Sequence, residues 1–152
     1  MKRRQIDITA RTDASADAAF RLLADGTTWT GWSPMDSFEL ERAGDPPPEG
    51  VGAIRVFRRG RTTGRDEIVE VVPGRRLGYR SLSGLPLRDY RATVDLEDGQ
   101  SGPSGQSGTV IRWRASFEPK IPGTGRIFER GLGKFLQQCA DGLARAAAAG
   151  GS

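Results

Sequence analysis

Residues 128–143 read FERGLGKFLQQCADGL, and their apolar members Phe128, Leu132, Phe135, Leu136, Cys139 and Leu143 recur at three- and four-residue spacing. That period is one stripe along an α-helix. Pro119 and Pro122 precede the stripe, and Ala146 to Ala149 run out into Gly150. The helix therefore takes roughly 25 residues, about 37 Å at 1.5 Å per residue. Immediately upstream the period changes from 3.6 to two. Ile111, Trp113, Ala115 and Phe117 fall on one side of a strand. Before them Tyr90, Ala92, Val94 and Leu96 face one way while Asp89, Arg91, Thr93, Asp95 and Glu97 face the other. Strands with one apolar and one charged face belong to an antiparallel sheet solvated on a single side, and something must cover the other side. The C-terminal helix is the one element long enough.

The rest of the chain extends this pattern. Ile6, Ile8 and Ala10 alternate with Asp7, Thr9 and Arg11, which predicts a first strand at about residues 4–12. Ser15 can cap a short helix carrying Asp17 in its first turn and Ala19, Phe20, Leu22 and Leu23 on its apolar side. Gly26 ends it, and residues 29–32 (WTGW) form a further turn of helix before Ser33-Pro34. Phe38 and Leu40 mark a second strand, followed by the loop GDPPPEG at 44–50. Strands are then expected from about Val51 to Arg58, from Asp66 to Val72, and around Leu77, Tyr79 and Ser81, with turns at Gly60/Gly64, Pro73-Gly74 and Gly84-Leu85-Pro86. Residues 98–108 are rich in Gly, Ser and Gln and read as a flexible hairpin loop, not a linker, because alternation resumes at once. The expected class is α+β: a curved seven-stranded antiparallel sheet wrapped around a long C-terminal helix, with short helices between strands one and two, in one domain spanning 1–152.

Composition narrows the chemistry. The 152 residues include one Cys and no His, so an internal disulfide, a His/Cys zinc site and any triad that needs imidazole are all excluded. No EF-hand spacing appears, and no metal or other cofactor is expected. The formal charge is +4 with a pI of about 9.8. The basic residues, 20 Arg and 3 Lys, are spread over nearly every element, whereas a nucleic-acid footprint clusters on one face. No nucleic-acid partner is expected. Lys2-Arg3-Arg4 opens like a signal sequence, but Gln5-Ile6-Asp7-Ile8-Thr9 follows in place of an apolar stretch. The expectation is a cytoplasmic protein without an integral membrane segment, and nothing in the sequence specifies an oligomer.

The order of strand, short helices, six strands and long helix resembles the helix-grip fold of the START-like SRPBCC superfamily, in its polyketide cyclase/dehydrase and lipid-transport branch. Three phrases carry the resemblance. Trp29-Thr30-Gly31-Trp32-Ser33-Pro34 is similar to that family's Trp-x-x-Trp segment after the first helix, Val71-Val72-Pro73-Gly74-Arg75-Arg76-Leu77 to its Pro-x-Arg-x-Leu turn, and Gly50-Val51-Gly52 to its strand-opening glycines. The likeness runs from about residue 4 to 147. It implies a deep, largely apolar cavity between sheet and C-terminal helix, suited to lipids, sterols, polyketides or hormones. Ala10, Ala53, Ala92 and Ala115 are small enough to leave such room.

The candidate ligand-binding residues are Trp29, Trp32, Arg55, Phe57, Tyr79, Tyr90, Trp113, Phe117, Phe128, Leu132 and Phe135. Ordinary core packing is the competing account for Trp113, Phe117 and the helix residues, and plugging the cavity mouth for Trp29 and Trp32. Tyr79 and Tyr90 each carry a hydroxyl that can orient a ligand carbonyl or hydroxyl. Arg55 shares parity with Val51, Ala53 and Phe57, so it points inward, where an arginine must be paired; Glu67 on the next strand is the expected partner. Arg58, Arg59, Arg61 and Arg65 read as a solvated hairpin tip. Cys139 has no basic neighbour to activate it. Two functions follow: a binding module for a small hydrophobic ligand, lipid or polyketide-like, and, as the alternative, a polyketide cyclase/aromatase or dehydratase with Tyr79, Tyr90, Arg55 and Glu67 as its acid-base groups. No residue is singled out as catalytic by a motif.

Overall fold

The structure, a computed structural model, describes residues 2–99 and 108–150. Strand β1 (Arg4–Thr12) leads into helix α1 (Ala16–Ala24), a single 3₁₀ turn (Gly26–Thr28) and the one-turn helix α2 (Trp29–Trp32). Strands β2 (Ser37–Arg42), β3 (Ile54–Arg59), β4 (Thr62–Val72), β5 (Arg76–Ser83), β6 (Leu87–Asp98) and β7 (Thr109–Pro119) follow, then helix α3 (Gly125–Ala149). All neighbours pair antiparallel, in the order β1-β7-β6-β5-β4-β3-β2. This is the curved sheet and terminal helix that the hydrophobic periods predict. The loop expected at 98–108 falls, for residues 100–107, outside the described residues; Gly99 N–H donates to the Gly108 carbonyl at 2.8 Å where its ends meet.

Local chemistry sets the element ends. The Ser15 hydroxyl accepts from Ala18 N–H at 3.1 Å and caps α1, whose Ala18, Ala19 and Leu23 are buried. Asp25 caps the 3₁₀ turn in the same way, accepting from Thr27 N–H at 3.0 Å. Two strand boundaries differ from the sequence reading. The third strand starts at Ile54, since Val51 makes only an isolated bridge to Asp45 and lies exposed. The fourth starts at Thr62, four residues earlier than expected, because the turn after Arg59 is tight.

Two features of the packing create the site. First, α3 lies closely on β1, β7, α1 and α2, that is, toward one side of the sheet. Its C-terminal half is anchored by Leu136, Cys139, Ala140, Leu143, Ala144 and Ala147, all buried, while Phe128, Leu132 and Phe135 in the other half are only partly covered. Second, the ladders of the middle strands are interrupted by bulges, between Arg65 and Asp66 in β4 and between Arg88 and Arg91 in β6. A bulge bends the strand. Asp89, inside the β6 bulge, has φ +48°, a left-handed conformation that Asp tolerates better than most residues.

Candidate functional site

Under the N-terminal half of α3 and above β3–β6 lies a cavity of about 400 Å³. Trp29, Phe57 and Trp113 form its inner end, with Trp29 packed 4.7 Å from Phe57 and edge-on to Trp113 at 5.9 Å between ring centroids. Phe128, Leu132 and Phe135 of α3 roof it, and Met35, Leu85 and Leu87 complete the apolar wall. Gly131 on the roof would meet nothing within 4 Å if it carried a Cβ, so the helix backbone itself borders open space there. Ile127, on the next face of the helix, is 72% exposed at the rim.

Polar groups are few and gathered. Asp66 of β4, Tyr79 of β5 and Tyr90 of β6 all border the cavity, with Ser81 nearby. Asp66 and Tyr90 each lie beside a register shift and share the inward parity of their strands, Asp66 with Gly64 and Ile68, Tyr90 with Ala92 and Val94. The Trp113 Nε1–H donates to the Tyr79 hydroxyl oxygen at 3.2 Å, leaving the phenol's own proton free to be given elsewhere. Among the described residues the Asp66 carboxyl has no ion-pair partner. It is half-buried because it looks into the cavity, yet the enclosing protein strips enough water to push its pKa from 3.8 up to about 7, with the charge of Arg55 pulling weakly the other way. Burial also raises both tyrosines far above the usual phenol range. The Cys139 thiol is raised to about 12 by burial and stays protonated.

Arg55 takes a different place from the one its parity suggests. It is 2% exposed, but its guanidinium lies beneath the aromatic end of the cavity, 5.1 Å from the Trp29 ring and 5.5 Å from the Phe57 ring, and does not border the cavity. Its partner is Glu49, from the proline-rich loop, at 2.9 Å, and it also donates to the Leu23 carbonyl at 2.9 Å. Glu49 in turn accepts from Gly26 N–H at 2.9 Å. This buried knot ties α1 and the 3₁₀ turn to β3. Glu67 is therefore corrected as the partner of Arg55. The register sets Asp66 opposite Arg55 and Glu67 opposite Ile54, so Glu67 projects from the outer face, bound to Arg42 at 3.0 Å and Arg80 at 2.6 Å.

Of the residues singled out from the sequence, Trp29, Phe57, Tyr79, Tyr90, Trp113, Phe128, Leu132 and Phe135 border the cavity together. Trp32, Arg55 and Phe117 do not. The Trp32 ring packs on Trp29 at 4.6 Å between centroids and its Nε1–H donates to the Thr28 hydroxyl at 3.0 Å, while its backbone carbonyl lies against α3 at Gly142. Phe117 is sealed in the core. Trp29, expected at the mouth, is at the inner end, its Nε1–H held by the Leu23 carbonyl at 3.0 Å. The sequence reading missed Asp66. Its inward parity with Gly64 and Ile68 was available, but a lone carboxylate on a strand reads as an outward-facing charge.

A family model described as polyketide cyclase/dehydrase and lipid transport matches residues 3–148. The chain belongs to this family. Solved structures of similar shape, at low identity, bear out the fold alone. A START superfamily protein from Mycobacterium smegmatis superimposes with a TM-score of 0.76 at 12% identity, covering 94% of this chain and 96% of that one. A Thermobifida fusca protein gives 0.71 at 22% identity, covering 93% of each chain. A Bacillus thuringiensis protein gives 0.73 at 15%, covering 95% and 98%. No curated protein matches this family member in sequence. Among its described residues no helix is long and apolar enough to cross a membrane, and no group of three His, Cys, Asp or Glu side chains could hold a metal ion.

Proposed function

We propose that the protein binds one small, largely apolar molecule in the cavity beneath α3. The observation that carries this reading is the cavity: about 400 Å³, walled by seven aromatic rings, two of them the tyrosines that cluster with Asp66 as its polar corner. Ligand sites of this kind are apolar with a few placed polar groups that fix orientation. An apolar cavity left empty costs stability. Membership of a family described by lipid transport and polyketide chemistry supports the same reading.

The test is a panel of fatty acids, sterols and aromatic polyketides, followed by tryptophan fluorescence and thermal unfolding. Trp29 and Trp113 face the cavity, so an occupant should change their emission. At a hundredfold excess over Kd a true ligand adds about 2.7 kcal/mol. Silence from both readouts across the panel would defeat the container reading.

A second reading is favoured by Asp66. A carboxyl that titrates near neutrality in an apolar cavity beside two tyrosines has the make-up of a general acid-base group, and it replaces Glu67 in the cyclase or dehydratase alternative. Here Asp66 would take the proton α to a bound ketone while Tyr79 donates to its oxygen. Turnover of a poly-β-ketone substrate that survives Asp66→Asn unchanged would refute that role.

A further inference from the structure

We propose that the Asp66, Tyr79 and Tyr90 side chains make the cavity selective for ligands whose buried end is an uncharged carbonyl or hydroxyl oxygen, and that they exclude carboxylates. The proposal deepens the container reading and rests on it. Its basis is the inventory of donors at one place. Tyr79 is already supplied with a hydrogen bond from Trp113, so what it offers a ligand is its proton. Tyr90 borders the same space. Asp66 has oxygens open to the cavity and no cation bonded to it, so at this position the protein presents hydrogen-bond donors together with a potential negative charge. A ligand carbonyl oxygen accepts from the Tyr79 phenol, whose own oxygen is met by Trp113 and by the Tyr90 hydroxyl, and from the protonated carboxyl. A ligand carboxylate would have to share the space with Asp66, and two carboxylates brought together in an apolar site cannot both ionise.

The charges around Asp66 agree with this arrangement. From β3, Arg55 faces it but is consumed by Glu49 and the Leu23 carbonyl. Arg59, among the described residues the one other ion bordering the cavity, stacks on Phe135 at 5.1 Å, on the roof side. Among the described residues β5 contributes Tyr79 and Ser81 and β6 Tyr90, β7 and α2 contribute Trp113 and Trp29, and the Cys139 thiol of α3 is buried near Tyr79 without bordering the cavity. The phenols and the thiol are all held protonated well above neutral pH, so Asp66 is the group facing this space whose proton is lost between pH 6 and 8.5. Its donor form is present below about 7.

Three probes of one skeleton separate this proposal from the container reading: 2-acetylnaphthalene, 2-ethylnaphthalene and 2-naphthoate, titrated against tryptophan fluorescence at pH 6 and pH 8.5. At pH 6 the ketone should bind about five- to tenfold more tightly than the ethyl compound, the effect of a satisfied hydrogen bond, and at pH 8.5, where Asp66 carries its charge, the carboxylate should bind at least tenfold more weakly than the ketone. At pH 8.5 the ketone's advantage over the ethyl compound should shrink. In Asp66→Asn, which keeps a donor, the advantage should no longer depend on pH, and in Asp66→Leu it should fall at both values. Equal binding of ketone and ethyl compound at pH 6, or naphthoate as tight as the ketone at pH 8.5, overturns the selectivity while leaving the container intact. Failure of all three to bind overturns the selectivity, while the container reading falls only with silence across the panel of fatty acids, sterols and polyketides.

Discussion

Asp66 is bought at the expense of stability, and the sign of that cost can be measured. Its carboxyl gains a proton more readily in the folded protein, near pH 7, than in the unfolded chain, where 3.8 applies. A raised acid pKa makes the native state the better proton binder, so its contribution is favourable at low pH and is lost as pH rises from about 4 to about 7. Asp66→Asn removes the slope. The variant should melt with the parent at pH 4 and above it at pH 8, by on the order of 2 kcal/mol once screening by cavity water is allowed for. Thermal melts at the two pH values check this, and a shift of equal size at both would contradict it. Arg55 presents the opposite case. Removing it by Arg55→Met leaves Glu49 buried with a charge and only the Gly26 N–H as partner, which should cost about 3–5 kcal/mol in denaturant unfolding. Adding Glu49→Gln should restore part of the loss, because the stranded charge goes with it.

Helix α3 does two jobs along its length, and its glycines distinguish them. Gly142 packs where a Cβ would fall 1.8 Å from the Trp32 carbonyl oxygen, so this turn holds the backbone of α2 against the helix. Gly131 borders the cavity with nothing within reach. Gly131→Ala should therefore stabilise the protein by about 0.5–1 kcal/mol through helix propensity, while Gly142→Ala should destabilise it by about 2 kcal/mol or more through overpacking. Paired melts of the two variants test the division, and a stabilising Gly142→Ala would show that the α2 contact is dispensable. The elements themselves were readable because each has a clean period: the α3 stripe, the alternation from Tyr90 to Leu96, and Ile111 to Phe117. Parity even put Tyr79, Tyr90 and Trp113 on one wall. What periodicity could not supply is where a ladder slips. Bulges at Arg65/Asp66 and Arg88/Arg91 shift the pairing beside Asp66 and Tyr90 without changing the inward parity both already have, and a bulge depends on the geometry of both strands, not on the pattern of one. Glu49 was equally hidden, since a carboxylate in a Pro/Gly loop has no period to betray that it reaches a buried arginine.

Taken over the whole molecule, the +4 charge is less of a signal than it looks, because the outer face of the sheet is a lattice of ion pairs. Asp95 lies between Arg76 and Arg114, at 2.5 and 2.6 Å, and Glu67 between Arg42 and Arg80. The hairpin arginines are partly spoken for, Arg58 by Glu39 and Arg65 by Glu41, and make no anion site among the described residues. Hydrogen bonds from these arginines hold Glu41, Glu67 and Asp95 below their ordinary pKa values, as Arg112 and Arg91 do for Asp7 and Asp89. Carboxylates with lowered pKa values stabilise the fold above their unfolded pKa, near 4, and that stability is lost as pH falls through the lower folded values. The cavity works against this. Asp66 penalises the fold progressively from about 4 up to about 7, so the two tendencies meet between them. Stability should therefore peak at about pH 5, fall steeply on acidification below 4, and decline more gently toward a plateau above 7. Replacing Asp66 by Asn should leave the acid limb in place and flatten the alkaline one, extending the peak through neutrality. Unfolding midpoints in urea from pH 3 to 9 for both proteins would show it. A parent curve that keeps rising from pH 5 to 8 would mean the Asp66 carboxyl is ionised at neutral pH, and the donor set assigned to the cavity would have to be redrawn around an anion.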